Sequence, residues 1–145
     1  MPALSAAQAP IAMRYRYQDL AFDAPDGLTD QSMIVLVDGE RAALTLAREP
    51  LDRSLGAYVD AVIEELTASM SGYRLEARAG RLVAGRDAVV VAQCAILSDG
   101  RPVRQQQAFV DAGAQVLVVT VTSPLEVGAA GHALLERVLA SLELP

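Results

Sequence analysis

The stretch MIVLV, residues 33–37, is apolar at every position. A strand with water on one face alternates apolar and polar residues instead. The same lack of alternation recurs in AALTLA (42–47), AVVVAQCAIL (88–97) and VLVVTVT (116–122). These runs predict strands that are covered on more than one face, and they raise the question of what covers the second face.

Two segments have the periodicity of helices. From Leu55 to Met70 the apolar residues recur at three- and four-residue steps, which predicts an amphipathic helix that Gly72 terminates. A second helix is predicted to begin at SPLE, with Ser123 as the N-cap and Pro124 at the first helical position. It continues through the well-patterned ALLERVLASLEL, residues 133–144.

The remaining apolar runs are predicted strands separated by turn signals. Asp38-Gly39 and Asp99-Gly100 each lie between two apolar runs, which predicts two-residue hairpin turns. The predicted order is one strand (14–24), a β-hairpin (33–48), a helix, a four-strand meander (73–122, with its irregular turn between Gly80 and Gly85) and a helix. This order predicts an α+β fold, an antiparallel sheet of six to seven strands with two main helices on one face.

Length and charge narrow the class of protein. A chain of 145 residues suffices for one domain, predicted over 13–145, with residues 1–12 as a flexible tail. The net charge of -6, with all twelve cations Arg, argues against nucleic-acid binding and against docking on anionic membranes. Residues 1–12 lack a signal-peptide pattern, and the single Cys94 allows no internal disulfide. We therefore expect a cytoplasmic protein without direct membrane insertion.

No residue pattern predicts catalysis. His132 is the only histidine, and it has no evident nucleophile or orienting acid beside it in the sequence. One His and one Cys do not make an ordinary transition-metal site. The acidic run has no calcium-loop spacing and is interpreted as a solvated loop; its members are Asp19, Asp23, Asp26 and Asp30. We expect a protein that is not an enzyme and has no metal or cofactor.

Hairpin geometry predicts which residues lie on the face that the helices leave uncovered. A two-residue turn at Asp38-Gly39 groups Met33, Val35 and Val37 with the core. The opposite face then carries Ser32, Ile34, Leu36, Ala43, Thr45 and Ala47. The same argument at Asp99-Gly100 puts Val89 and Val91 with the core and adds Ala92, Cys94, Gln105, Gln107, Thr120 and Thr122 to the uncovered face, with Val90 and Phe109 at one end.

Three interpretations of this uncovered face remain open. Exposed apolar surface of such size marks a partner groove in many proteins. The face is otherwise the closed interface of a homodimer, or it is roofed by the loops at 24–31 and 48–54.

The order and spacing of several stretches resemble the DcrB-like family, and in particular its effector-associated (Eag) chaperones of bacterial type VI secretion. The stretches are YRYQDLAFDAPDGLTDQSMIVLV (15–37), LTLAREPLDRSLGAYVDAVIEEL (44–66), SGYRL (71–75), RPVRQQQAFV (101–110) and VLVVTVTSP (116–124). The resemblance covers residues 13–144. It implies a PsbP-like sandwich and a homodimeric cytoplasmic chaperone that shields apolar, transmembrane-type N-terminal helices of a secreted effector before export.

The resemblance also implies a client-binding groove. It matches the family's groove to Ile34, Leu36, Gln105 and Gln107, and strand parity adds Ser32, Ala43, Thr45, Ala47 and Ala92. Hydroxyl and amide groups among these residues suit small polar groups or backbone of a client. The alternative function is a structural or regulatory homodimer whose apolar face is closed by its own twin, without a client.

Overall fold

The structure is a computed structural model that describes residues 11–17, 20–25, 34–38 and 42–144, with side chains from 42 onwards except 127–130. Residues 1–10 of the predicted tail lie outside the described residues. The chain divides into two units, residues 1–31 and 32–145.

The first unit contains a two-stranded antiparallel sheet of β1 (Ile11–Tyr17) and β2 (Leu20–Pro25). Tyr17 pairs with Leu20, so the single strand predicted over 14–24 is wrong. The two residues between the strands, Gln18 and Asp19, lack the glycine that marks a tight hairpin in a sequence.

The second unit is an α+β fold with an antiparallel sheet and two helices, as predicted. Its sheet has the strand order β3-β4-β8-β7-β6-β5, in which β5–β8 form the predicted meander. Side chains are described for five of these strands, β4–β8, so the predicted count of six to seven is not matched in that part of the sheet. Strand β3 pairs with β4 at the edge of the sheet. The elements are β3 (Ile34–Asp38), β4 (Ala42–Pro50), α1 (Leu55–Ser69), β5 (Ser71–Val83), β6 (Arg86–Ile96), β7 (Pro102–Asp111), β8 (Gln115–Pro124), a 3-10 turn (Leu125–Val127) and α2 (Gly128–Ser141).

Strand β5 is longer than the sequence predicts. It continues through Gly80, which pairs with Val89, and so the irregular turn predicted between Gly80 and Gly85 is wrong. The chain reverses instead at Ala84 and Gly85, whose φ angles are +52° and +75°. Two consecutive positive φ angles match the right-handed twist of the flanking strands in a two-residue hairpin turn.

The two helices lie on opposite faces of the sheet, so the prediction that both cover one face is wrong. Helix α2 packs through Leu135 and Leu139 onto a cluster that includes Leu117 and Val119. Helix α1 packs through Val59 onto the other face, where Val116 and Val118 lie. Neighbouring residues of β8 therefore serve opposite cores, because successive side chains of a strand point to opposite faces. This arrangement explains the missing alternation: each face has its own helix.

Helix α1 forms nearly where its apolar periodicity predicts. Ser54 is the N-cap, and its side chain accepts a hydrogen bond from the Ala57 N–H at 3.2 Å. The helix ends at Ser69 with Met70 as the C-cap. Gly72 is not the helix terminator that the sequence predicts, because it lies inside β5 at φ +62°, next to a shift in register.

Helix α2 begins later than predicted. Ser123 and Pro124 belong to β8, where Ser123 pairs with Arg104 and is buried. Strand pairing to β7 thus overrides the capping signal of SPLE, and the helix starts at Gly128. Among the described residues, no helix has the length and apolarity needed to cross a membrane.

Candidate functional site

Helix α1 covers only part of its face of the sheet. It contacts β5, β6 and β7, and the apolar residues beneath it include Val91, Phe109 and Val116. Beyond them lie two cross-strand rows that are only half-buried, Gln105–Thr122–Ala43 and Gln107–Thr120–Thr45. We call these six residues the shelf.

The β3–β4 register differs from the one that a two-residue turn predicts. Asp38 pairs with Ala42, so three residues separate the paired positions. Val35 is consequently opposite Thr45, and the prediction that it shares a face with the large residues of β4 is wrong. Since a shift of one residue exchanges the two faces, this turn length reverses the parity of the whole strand.

The turn between β6 and β7 is also longer than the two residues predicted, again by an odd number. Ile96 pairs with Pro102 across five intervening residues, which places Ala92 opposite Gln106. Gln106 lies 3.2 Å from the ring of His132 on α2, so Ala92 belongs to the α2 face and not to the shelf. Cys94 shares the parity of Ala92, and the predicted face is therefore wrong for both. Val89 and Val91 lie on the α1 face, and Val90 packs against the α2 cluster.

The structure brings together part of the predicted client-binding set. Ala43, Thr45, Gln105 and Gln107 are members of the shelf, and Ala47 follows next to it, opposite Val118. The register places Ile34 opposite Leu46 and Leu36 opposite Leu44, positions of the α2 face, which is a correction to their predicted face. Ser32 lies outside the described residues. The role of the set in binding a client stays a prediction.

A chain of hydrogen bonds crosses the sheet and ends on the shelf. The Tyr73 hydroxyl donates to Gln93 Oε1 at 2.7 Å. Gln93 Nε2 then donates to the Oε1 atoms of Gln107, at 3.0 Å, and Gln105, at 3.4 Å. Gln107 Nε2 donates to Thr120 Oγ1 at 3.1 Å, and Gln105 Nε2 donates to Thr122 Oγ1 at 3.2 Å. Gln93 is fully buried, and no buried side-chain nitrogen or oxygen in the described part of the chain lacks a partner.

Sequence analysis missed Gln93 and Tyr73. The available signal was Gln93 itself, the one amide inside the apolar run AVVVAQCAIL. A buried amide needs hydrogen-bond partners, and these must come from neighbouring strands. Which strands supply them depends on the register, which the turn signals predict incorrectly.

The shelf residues carry no charge of their own. Burial raises the pKa of the Tyr73 hydroxyl, so this group stays protonated and donates at neutral pH. Charged residues occur where the shelf opens into a groove of about 780 Å³, whose lining includes Gln105, Thr122, Arg101 and Glu126. The shelf is therefore a neutral surface of methyl, hydroxyl and amide groups.

The described residues contain no group of three or more His, Cys, Asp or Glu side chains placed to hold a metal ion. Of the acidic run noted in the sequence, Asp19, Asp26 and Asp30 lie outside the described residues. The segment 48–54, one of the roofs considered for the uncovered face, is at the other end of the sheet. There the Leu51 N–H donates to the Ala114 carbonyl at 2.9 Å.

Comparison with known proteins identifies the family and the fold. The chain matches the family model described as DcrB over residues 20–141. PA94 of Pseudomonas aeruginosa, a protein of unknown function suggested to be a regulator, is similar in structure with a TM-score of 0.76 and 21% identity, over 92% of this chain and 96% of that one. LpqN of Mycobacterium tuberculosis, involved in cell envelope biogenesis, is similar with a TM-score of 0.56 and 11% identity, over 78% and 80%.

The cyanobacterial PsbP (CyanoP) of a Synechocystis species has a TM-score of 0.51 and 10% identity, over 97% of this chain and 96% of that one. These likenesses show a PsbP-like fold. No curated protein matches the chain in sequence.

Proposed function

Because the chain belongs to the DcrB family, we propose that it is a non-enzymatic, homodimeric chaperone of the cytoplasm. It shields the apolar, transmembrane-type N-terminal helices of a type VI secretion effector before export. The observation that carries the proposal is the shelf, the part of the α1 face that α1 does not cover.

The dimensions of the uncovered area suit one helix. The shelf runs across strands β7, β8 and β4, which lie side by side, and three strands at a spacing of about 4.8 Å span about 14 Å. A helix with its side chains is about 10–12 Å wide and packs about 8–10 Å from a neighbouring helix. A client helix alongside α1 would complete the helical layer on this face, of which α1 forms only one part.

The chemistry of the shelf suits a membrane-type helix. Ala43, Ala47 and Val118 offer small apolar contacts, whose burial stabilises by roughly 25 cal/mol per Å². Thr45, Gln105 and Gln107 place polar groups among them. Helices that associate inside membranes use small residues and side-chain hydrogen bonds in the same way. The shelf would thus replace the contacts that the client helix makes after insertion.

A charge on the shelf tests this proposal. Thr45→Glu puts a carboxylate on the shelf, and Ala140→Glu puts the same group on an exposed position of α2, on the other face. A 20-residue Leu/Ala helical peptide with lysine-flanked ends serves as the client. We expect wild type and Ala140→Glu to keep the peptide soluble in a light-scattering assay, and Thr45→Glu to lose this effect at least tenfold.

Co-purification from the native host under secreting conditions extends the test to the natural client. A large protein with apolar N-terminal helices should accompany the wild type and Ala140→Glu, and should be absent with Thr45→Glu. If Thr45→Glu and wild type protect the peptide equally, the shelf is not the binding surface.

A second candidate is a regulatory homodimer whose shelf is closed by its own twin. It is favoured by the description of PA94 as a suggested regulator. Sedimentation separates the two functions, because a carboxylate within a self-closed interface dissociates the dimer. Thr45→Glu should remain dimeric if the protein is a chaperone, and should become monomeric if the twin covers the shelf.

A further inference from the structure

We propose that Thr120 and Thr122 select the occupant of the shelf by offering it hydrogen-bond donors. The partner is then an apolar helix that presents oxygen acceptors, such as hydroxyl or ether oxygens of its side chains, at its centre. This inference rests on the proposed function, since its occupant is the client helix described above.

The direction of the hydrogen bonds supports the inference. From Tyr73 to Gln93, and from Gln93 to Gln105 and Gln107, every bond runs towards the shelf. Each chain ends when a Gln amide donates to a Thr oxygen. A threonine hydroxyl that accepts in this way still has one proton to donate. In the described part of the chain, neither Thr120 nor Thr122 donates that proton to another residue.

Gln93, at the buried end of this series of hydrogen bonds, fixes which groups donate and which accept. Gln93 has no exposed surface, so both of its N–H groups need acceptors inside the protein. The Oε1 atoms of Gln105 and Gln107 serve as those acceptors, which turns the amide nitrogens of both residues towards the threonines. Gln93 is therefore a positioning residue, since it acts on the occupant only through the shelf.

The chemistry of the occupant follows from the donors. The backbone N–H groups in the interior of a helix are used within the helix, so the side chains decide what the shelf meets. A purely aliphatic helix covers the two hydroxyl protons without accepting them, and it loses the hydrogen bonds that the protons make with water. A helix with ether or hydroxyl oxygens at its centre accepts them and should bind about tenfold more tightly.

Two peptides that differ by single atoms test the proposal. Both are the 20-residue Leu/Ala helix used above, labelled for fluorescence anisotropy. One has two norvalines at its centre and the other has two O-methylserines, which replace a methylene by an ether oxygen that accepts but cannot donate. We expect the wild type to bind the O-methylserine peptide about tenfold more tightly.

Variants of the shelf show which residues cause the preference for the O-methylserine peptide. Thr120→Val/Thr122→Val keeps the shape and removes the two hydroxyl donors, so the preference for the O-methylserine peptide should be smaller than in the wild type. Thr120→Ser/Thr122→Ser keeps the donors and should retain the preference, which controls for any change in packing. Gln93→Leu should weaken the preference through misplaced amides, with thermal unfolding measured alongside to verify that each variant is folded.

The outcomes separate this inference from the proposed function. Equal affinity of the wild type for both peptides overturns the inference and leaves the chaperone proposal standing. A preference that is undiminished in the double valine variant also overturns it. Binding of neither peptide overturns the proposed function, and the inference falls with it.

Discussion

The missing side chain of Gly131 allows α2 to approach β8 closely. A Cβ atom at this position would lie 2.7 Å from Ser123 Oγ and 3.3 Å from Ser123 Cβ. Ser123 is buried and paired within the sheet, so it has little room to move. Gly56 in the first turn of α1 provides the contrast, because a Cβ atom there would meet nothing within 4 Å.

The two glycines should therefore respond to alanine with opposite signs. Helix propensity alone favours alanine over glycine by about 1 kcal/mol, which is the gain expected at most for Gly56→Ala. Gly131→Ala should instead destabilise the protein by about 1–3 kcal/mol, because the methyl group overpacks the contact with Ser123. Urea unfolding measures both changes, and Ser123→Ala should recover part of the loss. A stabilising Gly131→Ala would show that α2 adjusts freely.

Glu76 links the stability of the β5–β7 region to pH. It accepts hydrogen bonds from Cys94 and from Arg104, whose Nε and Nη2 atoms lie 3.0 and 3.3 Å from the two carboxylate oxygens. These bonds, in that order, lower the pKa of the Glu76 carboxyl. A lowered pKa in the folded state favours folding above the unfolded value of about 4.3. That contribution is lost as the pH falls through the folded pKa.

Glu76→Gln should thus destabilise the protein at pH 7 and have little effect in acid. Since the pair is partly exposed, we expect a loss of about 0.5–1 kcal/mol at pH 7. The difference between the variant and the wild type should shrink as the pH falls below about 4.3. Glu143→Gln, at an exposed position after α2, serves as the control and should show no such pH dependence. A loss that stays constant down to acid pH would contradict the assignment.

The boundaries of α1 could be predicted because periodicity over four turns and burial of one face agree. The faces of β3 and β6 could not be predicted. An Asp-Gly pair marks where a hairpin turns but not how many residues the turn contains, and both turns exceed two residues by an odd number. Each odd difference exchanges the two faces of a strand.

The sequence likewise predicts one part of the candidate site and not the other. Gln105, Gln107, Thr120 and Thr122 share the face that the sequence predicts. The hydroxyls of β8 alternate with apolar residues, and Gln105 and Gln107 pair with Thr122 and Thr120. Gln93 and Tyr73 come from β6 and β5, whose positions depend on the register of the mispredicted hairpin and on the shifts in β5. Ser123 was mispredicted because a local capping signal competes with pairing to a distant strand.

The N-cap of α1 tests how much local chemistry contributes to this element. Ser54→Ala removes the acceptor of the Ala57 N–H and should cost about 1 kcal/mol in urea unfolding. Ser69→Ala, at the last position of the same helix, removes a hydroxyl that only bonds back to the Glu65 carbonyl. It should be neutral or slightly stabilising. Equal losses for the two variants would mean that packing of α1 does not depend on its cap.

Strand β5 connects the two helix layers at one edge of the sheet. The strand is exposed along nearly its full length, and it is the last in the sheet order. Arg78 forms an ion pair with Asp60 of α1. Arg81 forms an ion pair with Glu136 of α2, at 2.8 Å. The arginines therefore contact both layers and also place charge on an edge strand, a position at which charge discourages pairing with another sheet.

Removing these arginines should change association more than stability. Each exposed pair contributes up to about 1 kcal/mol, so Arg78→Met/Arg81→Met should lower the urea midpoint only moderately. The edge of this variant, however, carries two fewer of the charges that oppose pairing with a second sheet, and we expect concentration-dependent light scattering that wild type lacks.

The matched control is Arg53→Met/Arg101→Met, which removes two exposed loop arginines. Both double variants change the net charge from -6 to -8, since each loses two positive charges. A more negative chain is by itself more soluble, so scattering confined to the β5 variant assigns it to the strand edge. Equal scattering by the two variants, or none by either, would show that Arg78 and Arg81 do not prevent association through the β5 edge.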